Sequence, residues 1–409
     1  MRYVSGPYWQ GQLLKDIFAI EKALTDRFKS GGVITDVTEQ KDWTRRVEEA
    51  SFGRNTVMYG AGGYPAVMVK FPAISCKQLN SAWPDQVYPG FIVANKIKSE
   101  LYIAKYKSAY IGTGADARVV SLLGLDPGNS ETFDSEQTRH KQMGPGFHQI
   151  TLIEQRLIMH LCKKSGFWPR GNNNFGKDGN VPSEIGIPSH HYDATRIGRT
   201  LTGSGPLSWF HDGTPFGVAD VNGNVWERCG GMRLVDGEIQ IIPNNDAADN
   251  TLDQSDTSTL WKAIMPDGSL VAPGTAGTLK FDSPNPMTND GTIQNQGTPI
   301  LRTALVNPPD PAWNWGDGYY DYNYSTFQSM TADTGVTVPD ILKIYGLFPI
   351  DTNYGNDGIW VRNYGKRRPF AGGRAVDGSA AGPAALSLNN PASYAYWYFG
   401  ARLAFVYLS

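Results

Sequence analysis

Apolar residues in the first hundred positions follow first a helical and then a strand-like pattern. In Leu13–Phe28, positions 13, 17, 20 and 24 are apolar, and Gly31-Gly32 close the run. The spacing predicts a helix docked on its own domain, with a short coiled-coil seam as the alternative. Strands are expected where β-branched and aromatic residues cluster, at Val67–Phe71, Phe91–Ala94 and Leu101–Tyr106.

Three more segments have helical patterns. Phe133–Met143 ends at Gly144-Pro145. The next segment begins with Thr151 and Glu154, which are spaced as a capping box, and continues as an amphipathic stripe. A short helix is predicted over Pro339–Tyr345.

The chain after Gly166 is rich in Gly, Asn, Asp and Pro, and Asn244–Thr298 is typical of a polar insertion with short strands such as Gly277–Phe281. Helices set beside short strands and long loops predict an α+β fold. We expect an N-terminal helical or attachment segment at 1–55, a small β-rich domain at 56–130 and a main domain at 131–409, with the insertion near 244–300.

The stretch S-Y-A-Y-W-Y-F-G-A-R, Ser393–Arg402, alternates tyrosine with other residues. Read as a strand, it would place three phenol rings on one face, those of Tyr394, Tyr396 and Tyr398. The opposite face would hold the strand on the core through Ala395, Trp397 and Phe399. The alternative is that the tyrosines themselves are buried in a sandwich.

Composition limits the partners of the 409-residue chain. Its net charge of −2 gives no basic excess for nucleic acid or an anionic membrane. No apolar run is long enough to span a bilayer, so we expect no membrane insertion. The first ten residues lack a signal-peptide pattern, which predicts synthesis in the cytoplasm.

Metal-binding and thiol motifs are sparse. Cys76, Cys162 and Cys229 form no close pair, which argues against a disulfide framework and a cysteine zinc site. His190-His191 and His211 are the best histidine candidates, but adjacent side chains in a loop seldom bind one metal.

The segment G-V-A-D-V-N-G-N-V-W-E-R, Gly217–Arg228, is the most specific motif. It resembles the G-x-x-D-M-x-G-N-V-W-E-W signature of the formylglycine-generating-enzyme family, a branch of the C-type-lectin fold. Pro169–Asp178, Gly198–Pro206 and Arg368–Arg402 look like related phage and gut-bacterial proteins. The resemblance covers about residues 131–409 and implies a C-type-lectin-like domain there.

Residue chemistry within this motif indicates a structural role. Gly223 permits a tight backbone path, and neighbouring asparagines can bond their own backbone in a turn. Trp226 is a core anchor, and Glu227 can lock a neighbouring loop. The resemblance also implies a structural calcium site, although the structural role is favoured; its ligands would be Asn222, Gly223, Val225 and Glu227. No other cofactor is expected.

The same resemblance bears on catalysis. Formylglycine-generating enzymes bind copper through two cysteines near the C-terminus, and this sequence has none after Cys229. The related iron-dependent sulfoxide synthases use histidines, and no H-x-x-x-H pattern is present. We therefore expect no enzyme activity; an oxidase of the formylglycine-generating type and a purely structural tail protein are the alternatives.

The C-terminal block also resembles the variable proteins of diversity-generating retroelements, which include tropism determinants on phage tails. In these proteins, error-prone reverse transcription of template adenines rewrites asparagine codons. The template asparagines fall within a variable region near 369–402, at Arg374, Val376, Asp377, Ala380, Ala385, Ser387, Tyr394, Tyr396 and Tyr398, with Ala371 as a further candidate. None is Lys, Glu, Gln, Met or Trp, which adenine changes in an asparagine codon cannot produce.

The resemblance implies a phage receptor-binding protein, or tail adhesin, in which these ten positions contact the ligand. Tyrosine suits this role because it offers a large, rigid and amphipathic contact area. The implied partners are a bacterial cell-surface receptor, protein or glycan, and other tail or fibre subunits. The protein would be located in the virion tail as a homo-oligomer, and trimers occur among such adhesins.

Overall fold

A computed structural model describes residues 7–288, 293–308 and 321–408. It is mixed α/β, with 21% helix, 27% strand and a large curled sheet, which confirms the coarse fold class. The helices are α1 Pro7–Gly31, α2 Val37–Ser51, α3 Cys76–Leu79, α4 Phe133–Lys141, α5 Leu152–Ser165 and α6 Asp340–Ile344.

Most strands are short. The first eleven are β1 Asn55–Gly60, β2 Tyr64–Pro72, β3 Ile92–Val93, β4 Lys96–Ile97, β5 Glu100–Ala104, β6 Ala109–Ile111, β7 Arg118–Val120, β8 Phe147–Gln149, β9 Trp226–Arg228, β10 Met232–Val235 and β11 Glu238–Ile241. The others are β12 Lys262–Ile264, β13 Leu270–Val271, β14 Lys280–Asp282, β15 Ile300–Arg302, β16 Asn323–Thr326, β17 Thr331–Ala332, β18 Gly358–Val361, β19 Lys366–Gly372, β20 Gly382–Asn390, β21 Phe399–Gly400 and β22 Leu403–Phe405.

The smaller of the two main sheets joins strands from residues 55–104 to β8 and to β22 near the C-terminus. Its order is β1-β2-β5-β22-β8, with all neighbours antiparallel. Ala404 in β22 pairs with Ile103 on one side and with His148 on the other. Segment 56–130 thus shares a sheet with the C-terminal region. The predicted domain boundary at residue 130 places β1, β2 and β5 on one side and β8 and β22 on the other.

The larger sheet has thirteen strands, ordered β16-β18-β20-β19-β10-β11-β14-β15-β17, with β9 and β21 attached at β19 and β12 and β13 attached at β11. The predicted polar insertion contributes β12, β13 and β14 to this sheet, and β15 follows directly after it. Residues 289–292 of that insertion lie outside the described residues. Strands β19 and β20 carry part of the predicted variable region and form the centre of the sheet.

Helix α5 lies against the core between the sheets. The Thr151 side chain accepts from the Glu154 amide while Glu154 accepts from the Thr151 amide, which confirms the capping box. Gly166 ends the helix with φ 71°. Leu157 and Ile158 pack in one cluster with apolar residues of both sheets, so the predicted amphipathic stripe is buried.

A buried charge fixes α1 to the body of the protein. The carboxylate of Glu21 accepts hydrogen bonds from Lys105 Nζ at 2.7 Å and from the Tyr106 hydroxyl at 2.5 Å. Ile17 and Leu24 are buried beside it. These contacts confirm the docked-helix prediction for the part of α1 that carries them.

Candidate ligand-binding cleft

The predicted tyrosine strand is wrong, because residues 391–398 form a loop and only Phe399–Gly400 is strand. We call residues 391–398 the tyrosine loop. Ala395 is exposed and Trp397 is half-buried, so neither holds a strand on the core as predicted. Phe399 is buried, as expected.

Donors from distant parts of the chain fix the backbone of this loop. Five of its carbonyl oxygens accept hydrogen bonds from such donors. Three donors are backbone amides: Phe133 N to Ala392 O at 2.9 Å, Ser130 N to Tyr396 O at 3.1 Å and Trp226 N to Tyr398 O at 2.9 Å. The other two are guanidinium groups: Arg199 Nη1 to Trp397 O at 3.0 Å, and Arg228 to Tyr394 O. These bonds replace a strand ladder. None of them uses a side chain of the loop.

Arg228 is the buried centre of this anchoring. Its Nε lies 3.0 Å from Glu136 Oε2, and its guanidinium lies over the Phe370 ring at 4.7 Å. Glu136 also accepts from the Tyr110 hydroxyl at 2.6 Å. Burial raises the pKa of Glu136 to about 7, although Arg228 acts against it.

The three tyrosine rings lie together, although the segment is not a strand. The planes of Tyr394 and Tyr396 are 7° from parallel with centroids 6.5 Å apart, and the centroids of Tyr396 and Tyr398 are 4.9 Å apart. Tyr396 is 48% exposed, and the other two are half-buried. The alternative that the rings lie in the hydrophobic interior is therefore wrong for Tyr396.

A concave site of about 250 Å³ lies beside these rings, and we call it the ligand cleft. Five predicted variable positions line it: Arg374, Asp377, Ser387, Tyr394 and Tyr398. The sequence did not indicate the rest of its lining, which is Trp226, Ile293, Trp360, Arg362, Asn389, Asn390, Pro391 and Phe399. Aromatic rings and amide, hydroxyl and charged groups therefore line one cavity.

An ion pair on a ring forms one wall of the cleft. Arg374 Nε lies 2.9 Å from Asp377 Oδ1, and the Arg374 guanidinium lies 4.0 Å from the centroid of the Tyr398 ring. Burial raises the pKa of Asp377 despite the neighbouring guanidinium. Burial also raises the pKa of the Tyr398 phenol, which is therefore protonated at neutral pH.

The other five predicted positions do not line the cavity. Ala371, Ala380 and Ala385 are buried, Val376 is half-buried and Tyr396 is exposed beside the other rings. Ala385 packs with Trp226, Phe370 and Phe399, so it supports two rings of the cleft from below. The three alanines thus expose little or no surface to a ligand, and their contact role stays a prediction.

Trp360 is the main cleft residue that sequence reasoning missed. It lies in β18, which pairs in parallel with β20 so that Trp360 stands opposite Ser387. Its ring stacks on Tyr324 at 4.9 Å and meets Trp226 edge-on at 5.3 Å. Only the β18–β20 pairing brings it to the site, and no local motif marks that pairing.

Two of the four predicted calcium ligands, Val225 and Glu227, are already bonded to a buried ammonium group. Lys107 Nζ donates to Val225 O at 3.0 Å and to Glu227 Oε1 at 2.6 Å. Arg402 Nη2 donates to the same carboxylate oxygen at 2.6 Å. A calcium ion would have to displace the ammonium.

We call Lys107, Glu227 and Arg402 the Glu227 cluster. Its two cations lower the pKa of Glu227 to about 2, although burial opposes them.

The rest of the signature acts partly as expected. Gly223 has φ 76°, and a Cβ there would lie 2.1 Å from Asn172 O, so the tight-path prediction is confirmed. Asn224 does not bond its own backbone, as its amide exchanges two hydrogen bonds with the backbone of Thr200. This correction makes Asn224 a bridge between segments rather than a turn residue.

The histidine and cysteine candidates have other contacts. His190 stacks on Trp397 at 5.1 Å, and His211 Nδ1 accepts from Val218 N at 2.7 Å. Burial raises the pKa of the Cys76 thiol to about 11. Within residues 7–288, 293–308 and 321–408, no three His, Cys, Asp or Glu side chains are grouped to hold a metal ion.

Three other clefts of the described residues are larger than the ligand cleft. Their volumes are about 810 Å³ beside Trp83 and His160, about 510 Å³ beside Tyr110 and about 380 Å³ beside His148. Burial lowers the pKa of His160 to about 4, and its Nε2 is bonded to Ile344 O. None of these three clefts is lined by a predicted site residue.

The helices of the described segments were also compared with the needs of a membrane span, and none is both long and apolar enough. In comparisons with known proteins, no protein-family model and no curated protein matches this chain.

Proposed function

We propose that this protein is a phage receptor-binding protein, a tail adhesin whose C-type-lectin-like domain presents a ligand surface diversified by a retroelement. The observation that carries the proposal is the tyrosine loop. Its backbone is fixed through carbonyl groups, while its three tyrosine rings lie together at the ligand cleft.

This arrangement suits a segment whose side chains change. A hydrogen bond to a backbone carbonyl is kept when the side chain is replaced, so substitutions in the loop retain its anchoring. Exposed positions such as Tyr396 also tolerate replacement with little change in stability. A surface of this kind can vary in recognition without losing its fold.

The proposed activity is reversible recognition, with no covalent step. The partner is a receptor on a bacterial cell surface, and other subunits of the tail or fibre carry the protein as a homo-oligomer. Repeated copies raise the effective affinity of weak single contacts. Burial raises the pKa values of the Cys162 and Cys229 thiols, which disfavours the thiolates that the alternative oxidase chemistry would need.

Sequencing of sister copies of the gene tests the retroelement part of the proposal. We expect differences concentrated at the codons of the predicted variable positions, an adjacent near-copy with adenines at those codons and a reverse transcriptase gene. Sister copies that agree at these codons and differ elsewhere would contradict it.

Binding of the labelled protein to a panel of bacterial strains tests the adhesin part. We expect binding to some strains and weaker binding after Tyr396→Ala. If instead the tyrosine rings are covered by a neighbouring subunit in assembled particles, the protein is a structural tail component.

A further inference from the structure

We infer that the ligand cleft binds a carbohydrate ring, with Trp360 as a constant aromatic platform and the predicted variable side chains as the determinants of specificity. This inference rests on the proposed function and names the chemistry of the receptor. It goes beyond the ten positions that the sequence indicated, because Trp360 lies outside the region 369–402.

The first argument is the rigidity of the platform. Trp360 is held by the stacked Tyr324 ring and the edge of Trp226, so its indole is fixed before any ligand arrives. It is half-buried and lines the cleft. A preorganised ring loses little conformational entropy on binding, and the apolar face of a pyranose can stack on it.

The second argument is the mixture of hydrogen-bonding groups around that ring. The Ser387 hydroxyl donates to Asn389 Oδ1 at 2.5 Å, and Asn390 Nδ2 donates to the same oxygen at 2.8 Å. Amides, a serine hydroxyl and phenols both donate and accept. Sugar hydroxyl groups do the same, so this set matches a polyhydroxylated ring better than a purely apolar ligand.

The third argument is charge. The Arg374 guanidinium is paired with Asp377, so this wall offers directed donors and acceptors while its charges balance. The Arg362 guanidinium donates to Asn389 O at 3.3 Å and thus also serves the wall of the cleft. The described lining thus holds two guanidinium groups and one carboxylate, which suits a neutral or singly acidic sugar better than a multiply charged ligand.

The fourth argument is size. A cavity of about 250 Å³ is close to the lower limit of small-molecule sites, which is roughly 300 Å³. It suits one or two ring-sized groups. A protein receptor would instead need about 800 Å² of buried surface on each partner, mostly outside the cleft.

The test uses the intact protein and a bacterial strain that it binds. Protein-free polysaccharide extracted from that strain is added as competitor, before and after periodate oxidation of its vicinal diols. We expect the untreated polysaccharide to reduce cell binding at least tenfold and the oxidised polysaccharide to have no effect.

If the untreated polysaccharide fails to compete, the carbohydrate inference is overturned while the adhesin proposal stands. If the protein binds no strain, the adhesin proposal itself fails.

Variants assign the effect to the cleft. Trp360→Ala is expected to lower affinity for the polysaccharide at least tenfold, and Tyr407→Ala, which removes an exposed tyrosine that does not line the cleft, is expected to leave it unchanged. Asn390→Trp is a second variant that keeps the Trp360 packing and fills the cleft from its half-buried edge. Unchanged affinity in both cleft variants would overturn the inference.

Discussion

The Glu227 cluster and the tyrosine loop meet at one three-residue strand, yet they are stabilised in opposite ways. In β9 the Glu227 side chain joins Lys107 and Arg402, whereas Trp226 and Arg228 contact the tyrosine loop. Successive side chains of a strand point to opposite faces, so one strand serves the interior on one side and the cleft on the other.

The two regions differ in the chemical groups that stabilise them. The Glu227 cluster depends on the identity of three charged side chains, all of them buried. The tyrosine loop is anchored through backbone carbonyls, and its Tyr396 ring stays exposed for contact. Stability should therefore be sensitive to substitution in the first region and insensitive in the second.

The largest expected effect is that of Glu227→Gln, which removes the negative charge between Lys107 and Arg402. Two buried cations then lose their partner, and we expect the free energy of unfolding to fall by about 3–5 kcal/mol. Denaturant unfolding measures it. The control is Glu184→Gln, which breaks a partly exposed ion pair with Arg170 and should cost about 1 kcal/mol or less. Equal losses in the two variants would remove the contrast.

A pH effect of about 2 kcal/mol is expected from His211 in the interior. Burial lowers its folded pKa to about 4, against about 6.5 when unfolded, so the unfolded state takes up the proton first and stability falls as pH drops from 6.5 to 4. An asparagine at position 211 can accept the hydrogen bond from Val218 N through its Oδ1, and its side chain does not titrate. Between pH 7.5 and 5.0 the wild type should therefore lose about 2 kcal/mol more than His211→Asn in urea unfolding. If the unfolding free energies of the wild type and of His211→Asn fell equally with pH, His211 would not be the source of the pH effect.

Arg228→Lys tests how the loop is held. Lysine keeps a positive charge near Glu136, but its single nitrogen cannot span the carbonyls that the two terminal guanidinium nitrogens of Arg228 reach. We therefore expect a loss of about 1–2 kcal/mol and faster hydrogen exchange in the tyrosine loop. Arg374→Lys is the matched control in the cleft, where the guanidinium contacts Asp377 and Tyr398 instead of the loop backbone. Unchanged exchange in Arg228→Lys would show that the loop is held by other contacts.

Tyr396→Ala tests the surface side of the contrast. The ring is about half-exposed, so we expect a change in unfolding free energy within about 0.5 kcal/mol and weaker binding to bacterial cells. Tyr102→Ala, at a buried tyrosine, should cost about 3–5 kcal/mol. A loss above 2 kcal/mol in Tyr396→Ala would mean that the loop is structural.

The smallest expected effect is that of calcium. Because the Lys107 ammonium bonds Val225 O and Glu227 Oε1, we expect the melting temperature to be the same in millimolar CaCl₂ and in EDTA. If calcium raised the melting temperature of the wild type but not that of Glu227→Gln, the predicted calcium site would be supported after all.

Local signals predicted the helices well where the pattern was strong. The capping box of α5 and the stripe that follows it depend on neighbours in sequence, so they could be read directly. Helix α2 was not identified individually, because only Trp43, Val47 and Ser51 are buried in it and its apolar stripe is narrow. Its N-cap, Asp36, was the available signal.

The site was predicted in part, for a physical reason. Alternation indicated that the tyrosine rings share a face, but it also indicated a strand. The donors that produce a loop instead, among them Ser130, Phe133 and Arg199, lie far away in the sequence. Trp360 was missed for the same reason, since it reaches the cleft only through strand pairing.

The position of β22 has a consequence for the synthesis of the protein. This strand follows the tyrosine loop in the chain yet lies between β5 and β8. A ribosome that stops within the loop therefore releases a polypeptide in which β5 has an open edge and β8 lacks the strand it pairs with, and unpaired strand edges of this kind promote aggregation. The strand that links β5 to β8 is therefore made only after the tyrosine loop has been translated, so a product truncated in the loop cannot complete this sheet.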